Sequence, residues 1–213
     1  MNNFKTYHLF SIPLSEFYYG EISDDEIFTC NHYLKNLSRN TNNSMSFEGY
    51  ILDKDLPKIR EFIEKSIVSY VEKNVIGGEY DQEQLKFQIT QSWLNLTKPG
   101  ESHHQHSHSN SFISGVFYFK ANSKVDNITF YNNLLNNTTF LEFNTKKHNE
   151  FNSKYWTFPV ETGQLILFPS SLEHFVGRVV GDEDRISLSF NVFPFGILGK
   201  DEDSTGLRIL QDK

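Results

Sequence analysis

The apolar residues of this chain change their repeat partway along, and that change limits the folds open to it. From about Leu85 onward they alternate with polar residues. Leu85, Phe87, Ile89, Gln91, Trp93 and Asn95 fall on one face of an extended strand, and Lys86, Gln88, Thr90 and Ser92 on the other. Further strand-like runs follow at 112–119, 128–131, 139–143, 164–168, 174–180 and 186–193. Polar stretches at 132–137 and 146–153 read as excursions between them. Upstream the period is helical. Ser23 with Glu26 has the form of a capping box, and Ile27, Cys30, Leu34 and Leu37 follow at helical spacing. Leu56, Ile59, Ile63, Ile67 and Tyr70 or Val71 make a clearer stripe over about 56–74; Pro57 suits its first turn and Gly77-Gly78 its end. Helices first and many short strands after predict a mainly β chain. It would be a single domain, 1–213, with a β sandwich or barrel over about 85–195 covered by a helical third over about 1–80.

Composition narrows the function classes. With 213 residues, 38% hydrophobic and 20 Phe, the chain can bury one sizeable core and is too apolar to be disordered. Its 20 Lys and Arg against 27 Asp and Glu leave a net charge of −7, which argues against a broad electrostatic grip on nucleic acid. A single cysteine, Cys30, forms no internal disulfide and suits a reducing compartment. No apolar stretch is long enough for a membrane span, and Met1-Asn2-Asn3-Phe4-Lys5 lacks the apolar run of a signal peptide. The expectation is a soluble, cytoplasmic protein with no membrane partner.

Histidine is the unevenly placed residue. Four of the eight are His103, His104, His106 and His108; His8, His32, His148 and His174 are scattered. In an extended chain His106 and His108 point the same way and can close on one metal ion, and imidazole suits iron, zinc, copper and nickel. His104 with His106 has the same spacing, and His103 could fill in for either. His174 is the candidate third ligand, lying between two apolar stretches. Beyond it, Arg185, Ser187, Ser189 and Asn191 share one strand face, with Ile186, Leu188 and Phe190 on the other. A buried polar face of that kind needs partners, and an anionic ligand would satisfy Arg185. Gly115 reads as a site of close backbone packing, Trp93 and Trp156 as core.

Three blocks together resemble a known family. They are Trp93-Leu94-Asn95 with Gly100, the run from His106 to Tyr118, and Leu167-Phe168-Pro169 with His174 and Arg185-Ile186-Ser187. In order and spacing they resemble the Fe(II)- and 2-oxoglutarate-dependent dioxygenases, in particular a prolyl-hydroxylase-like group of bacteria and phages, from about Phe87 to Phe193. The resemblance implies a double-stranded β-helix (jelly roll, cupin-like), with Fe(II) on His106, His108 and His174. It further implies 2-oxoglutarate as co-substrate with its far carboxylate on Arg185. Ser187 would share that carboxylate and Tyr118 would hydrogen-bond the co-substrate. The spacing of Asn95, Thr97, Gly100, His106 and His108 also resembles the alkylation-repair dioxygenases, which makes Asn95 a co-substrate contact; Thr97 stands where those enzymes have Tyr. The main departure is His108, where the pattern has a carboxylate. The implied activity is hydroxylation, using O2, of a protein side chain or small molecule, in the host cytoplasm if the chain is phage-encoded. Two further readings are an oxidative dealkylase of nucleic acid, and a non-catalytic metal-binding jelly roll.

Overall fold

The period-two stretches form antiparallel strands arranged as two sheets. This computed structural model describes residues 5, 7, 11–132 and 144–210. The larger sheet contains β1 (Ser15–Tyr18), β2 (Leu37–Asn40), β3 (Asn43–Ser46), β4 (Leu85–Thr97), β6 (Ile113–Lys120), β9 (Gln164–Pro169) and β11 (Arg185–Leu198), in the order β1-β9-β6-β11-β4-β3-β2. β12 (Leu207–Ile209) pairs with the end of β11. The smaller sheet runs β5 (His103–His106), β10 (His174–Val176), β7 (Asn127–Tyr131), β8 (Tyr155–Pro159). The architecture is mainly β, a double-stranded β-helix.

Two apolar clusters lie on opposite faces of the larger sheet, which is why β6 and β9 are buried along nearly their whole length. On the outer face, α3 (Pro57–Val71) sets Ile59, Ile63, Ile67, Tyr70 and Val71 against Leu94, Phe117, Leu165, Leu167, Leu188, Phe190 and Val192. Each such buried side chain contributes about 1.5–3 kcal/mol relative to exposure. Pro57 lies in the first turn of α3, and after a short π-helical turn Gly77 caps the segment at a left-handed φ of 80°. On the inner face, Val116, Tyr118, Ile166 and Phe168 meet Ile128, Phe130 and Val160.

Several elements differ from the sequence reading. The N-terminal third holds β1–β3 as well as helices. The α1 helix (Asp24–Tyr33) starts at the expected Ser23 capping box, but it ends before Leu34; only Cys30 of its stripe is buried, and Leu37 begins β2. The predicted strand at 174–180 stops at Val176, and β8 falls in a stretch with no assigned strand. The predicted strand at 139–143, His8, and most of the excursion at 132–137 lie outside the described residues. Trp156 is 44% exposed rather than core.

The most consequential difference lies within β4. Gln91 pairs with Asn191 but Ile89 with Val192, so Thr90 is an extra residue, a β-bulge. The bulge turns the strand over. Phe87 and Ile89 before it face the helices with Leu94, whereas Gln91, Trp93, Asn95 and Thr97 after it lie on the opposite face, across from Asn191, Ser189, Ser187 and Arg185. The single face expected for Leu85 through Asn95 is therefore two faces, divided at Thr90.

Candidate metal centre and anion pocket

The histidine tract is itself a strand. β5 pairs with β10 so that His106 lies directly opposite His174, and a register shift between His174 and Val176 aligns Val176 with His103. The ring centroids of His106 and His174 are 4.4 Å apart, those of His106 and His108 5.0 Å, and those of His108 and His174 5.2 Å. One ligand nitrogen from each of His106, His108 and His174 falls within 4.8 Å of the others. His103, His104 and His106 form a second such group, in which His104 is exposed. Neither group includes a carboxylate among the described residues.

The surroundings leave these rings able to act as ligands. His106 Nδ1 lies 2.8 Å from the carbonyl oxygen of His104, and His174 Nδ1 lies 3.2 Å from that of Leu172. A carbonyl only accepts, so in both rings Nδ1 carries the proton and donates it, leaving the Nε2 lone pair free for a metal. Burial, reinforced by the neighbouring imidazoles, holds the rings neutral. It lowers His174 well below the usual histidine range and His108 to about 4, and it also lowers His106. The backbone N–H of His108 donates to Ser170 O at 3.0 Å. Ser170 also joins a buried hydroxyl chain, its Oγ 2.8 Å from those of Ser111 and Ser114. No sequence pattern pointed to this support for the His108 loop.

A buried cation lies along the same interior. Arg185 is 2% exposed. Its Nη2 donates to Tyr118 Oη at 3.4 Å, its Cζ lies 5.0 Å from the Tyr118 ring centroid, and its Nε has no partner among the described residues. No carboxylate among the described residues forms an ion pair with it. Tyr118 is both a core aromatic and the support of Arg185, and burial raises its pKa, so the phenol keeps its proton. Ser187, 2% exposed, lies opposite Asn95 on one side and Tyr118 on the other. Asn95 Nδ2 donates to Ser189 Oγ at 2.9 Å, while among the described residues Asn95 Oδ1 has no partner and neither does Thr97 Oγ1, opposite Arg185.

His103 is drawn inward. Its ring stacks on His106 with centroids 4.6 Å apart and an interplanar angle of 21°. Burial and then the neighbouring histidines, with a further contribution from Arg185, lower its pKa to about 3. In sequence His103 reads only as a stand-in for a neighbouring ligand. Trp93, read as core, is half-buried with its ring centroid 5.8 Å from that of His108. Neutral imidazoles with free nitrogens, and a buried guanidinium with no carboxylate partner among the described residues, fit Fe(II) and 2-oxoglutarate respectively.

These elements define a jelly roll with a candidate metal site beside a buried cation. The family described as "Putative 2OG-Fe(II) oxygenase" matches residues 91–191, just under half of the chain, and the match together with the fold indicates a 2-oxoglutarate-dependent non-haem iron oxygenase, an oxidoreductase. No curated protein matches the sequence. Among solved structures, a prolyl-4-hydroxylase from Pseudomonas putida has a TM-score of 0.54 at 14% identity, covering 85% of this chain and 93% of that one. The epimerase SnoN, in complex with Fe3+, alpha ketoglutarate and nogalamycin RO, has a TM-score of 0.57 at 10% identity, covering 94% and 90%. HygX from Streptomyces hygroscopicus, with nickel, 2-oxoglutarate and hygromycin B bound, has a TM-score of 0.54 at 10% identity, covering 85% and 82%. At these identities the likeness is one of fold. No helix among the described residues is long and apolar enough to cross a membrane.

Proposed function

We propose that this oxygenase is a hydroxylase of a protein side chain or a small molecule. In this reading His106, His108 and His174 hold Fe(II), Arg185 anchors the far carboxylate of 2-oxoglutarate, and Ser187, Tyr118 and Asn95 line the co-substrate. The observation that carries it is the buried Arg185, which has no carboxylate partner among the described residues, on the same interior as three neutral imidazoles. A metal clip alone has no use for an anion anchor. Bound iron supplies the oxidation, in which O2 converts 2-oxoglutarate to succinate and CO2 and delivers one oxygen atom to a substrate C–H bond.

The chain's own residues orient and enclose. Arg185 offers a planar fork that matches a carboxylate, and the Tyr118 ring beneath it limits its movement. Burial along the inner face of β4 falls from Thr97 and Asn95, through half-buried Trp93, to exposed Gln91. The interior is thus closed at the anion pocket and open beyond His108, so a substrate would approach past Trp93. The fold accommodates targets as different as those named for the prolyl-4-hydroxylase and for HygX. The net charge of −7 weighs against nucleic acid.

The test is succinate release from purified protein given Fe(II), ascorbate and 2-oxoglutarate, with metal and 2-oxoglutarate binding measured beside it. His174→Ala should weaken metal binding at least tenfold, and Arg185→Ala should weaken 2-oxoglutarate binding by about a hundredfold, the loss of a charge-assisted bidentate pair. Unchanged binding in both variants would sink the reading. His108→Asp should tighten iron binding by placing a negative charge beside the ion; unchanged affinity would move the assignment towards His104.

A further inference from the structure

The anion pocket has a wall outside the segment that matches the family. Asn43, on β3, is fully buried, and neither atom of its amide has a hydrogen-bond partner among the described residues. The ladder fixes its place. Met45 lies opposite Asn95 and Ser44 opposite Leu96, so Asn43 comes next, beside Thr97, which lies opposite Arg185. Residues directly opposite in an antiparallel ladder share a face. One row across three strands therefore carries Asn43, Thr97 and Arg185, and each contributes a buried polar atom with no partner among the described residues. Buried polar groups are hydrogen-bonded in the great majority of cases, so three such groups in one row mark a ligand position. Asn43 Nδ2, the Thr97 hydroxyl and Arg185 Nε can all donate, and a carboxylate is the group that only accepts.

The hairpin that carries Asn43 is held on both sides. Asn40 faces Asn43 across the β2–β3 pair, and its Nδ2 lies 3.3 Å from His103 Nε2. Arg39 forms an ion pair with Glu101 at 2.5 Å. The turn is thereby tied to β5 and to the loop before it. We propose that Asn43 is a co-substrate-binding residue whose amide N–H donates to the carboxylate that Arg185 anchors, making the β2–β3 hairpin part of the 2-oxoglutarate site. This rests on the reading of Arg185 given above.

The test is calorimetric titration of 2-oxoglutarate into the Mn(II)-loaded protein, with thermal unfolding of each variant. Asn43→Leu, of similar volume, should weaken 2-oxoglutarate about tenfold. It should leave Mn(II) affinity unchanged and the ligand-free unfolding midpoint equal or higher, because it removes two unpartnered polar atoms. Asn43→Asp keeps the shape and places a carboxylate in the row with Arg185. It should abolish 2-oxoglutarate binding by competition while raising the midpoint, and it carries the test if the leucine variant fails to fold. Parental affinity in both variants, alongside weak binding by Arg185→Ala, would overturn the role of Asn43 and leave Arg185 standing. Parental affinity in Arg185→Ala as well would overturn the anchor itself.

Discussion

At the residue scale, the histidines divide by environment rather than by proximity in sequence. His148 lies in an exposed loop, His104 is exposed, and His174 is 5% exposed opposite His106. The sequence carried the spacing of His106 and His108 and the distant His174. It could not carry the inward turn of His103, which depends on a register shift between β5 and β10. Nor could it single out Asn43, which sits in the polar run Arg39-Asn40-Thr41-Asn42-Asn43 and reads as an ordinary solvated turn. The lowered histidine pKa values have a consequence for stability. An unfolded chain takes up protons on these side chains below about pH 6.5, whereas the folded, metal-free protein refuses them until the pH nears the lowered values. Stability of the chelator-treated protein should therefore fall between pH 7 and pH 5, by at most about 2 kcal/mol per buried histidine. Thermal unfolding across that range checks it: His108→Gln should fall less steeply than the parent, and a parallel slope would mean that His108 titrates normally.

At the scale of elements, β6 and β11 show how tightly the large sheet is fitted. Gly115 lies opposite Phe190, and a methyl group built on Gly115 would come within 2.1 Å of the ring. The close packing expected there is thus a phenylalanine lying across a strand with no side chain. Gly115→Ala should destabilise by about 1–3 kcal/mol through overpacking. Phe190→Leu should cost a similar amount alone, yet the double variant should recover part of the loss, since the smaller side chain leaves room for the methyl. A denaturant-unfolding cycle with strictly additive costs would refute the contact. The helix stripe of α3 and the alternation of β11 were legible because neither element is interrupted. The phase of β4 was not, because a bulge leaves no composition signal: Thr90 is an ordinary strand residue.

For the whole molecule, the fold class followed from the switch in period, and the jelly roll from the three resembling blocks. What the sequence underweighted was the N-terminal third, which supplies α3 for the outer core and a hairpin at the edge of the site. Ligands and stability should be linked accordingly. A saturating ligand at about 100 times its Kd stabilises by about 2.7 kcal/mol, which for a chain of this size is a rise of about 5–10 °C in Tm. Mn(II) with 2-oxoglutarate should produce a shift of that order in the parent. Arg185→Ala should retain the increment from metal and lose the one from 2-oxoglutarate; an unchanged second increment would separate the co-substrate from Arg185.

The extra residue in β4 has a wider meaning for variation in this chain. The strand is read in two frames, with odd positions before Thr90 and even ones after it turned towards the oily side. Any scale of tolerated substitution that assumes one frame will misjudge half the strand, accepting a charge at Leu94 and demanding grease at Asn95. Small insertions and deletions obey the same parity. Losing one residue between Ile89 and Trp93 would exchange the two compartments along one arm of β4, whereas losing two would shorten the strand and keep its wet and dry sides apart.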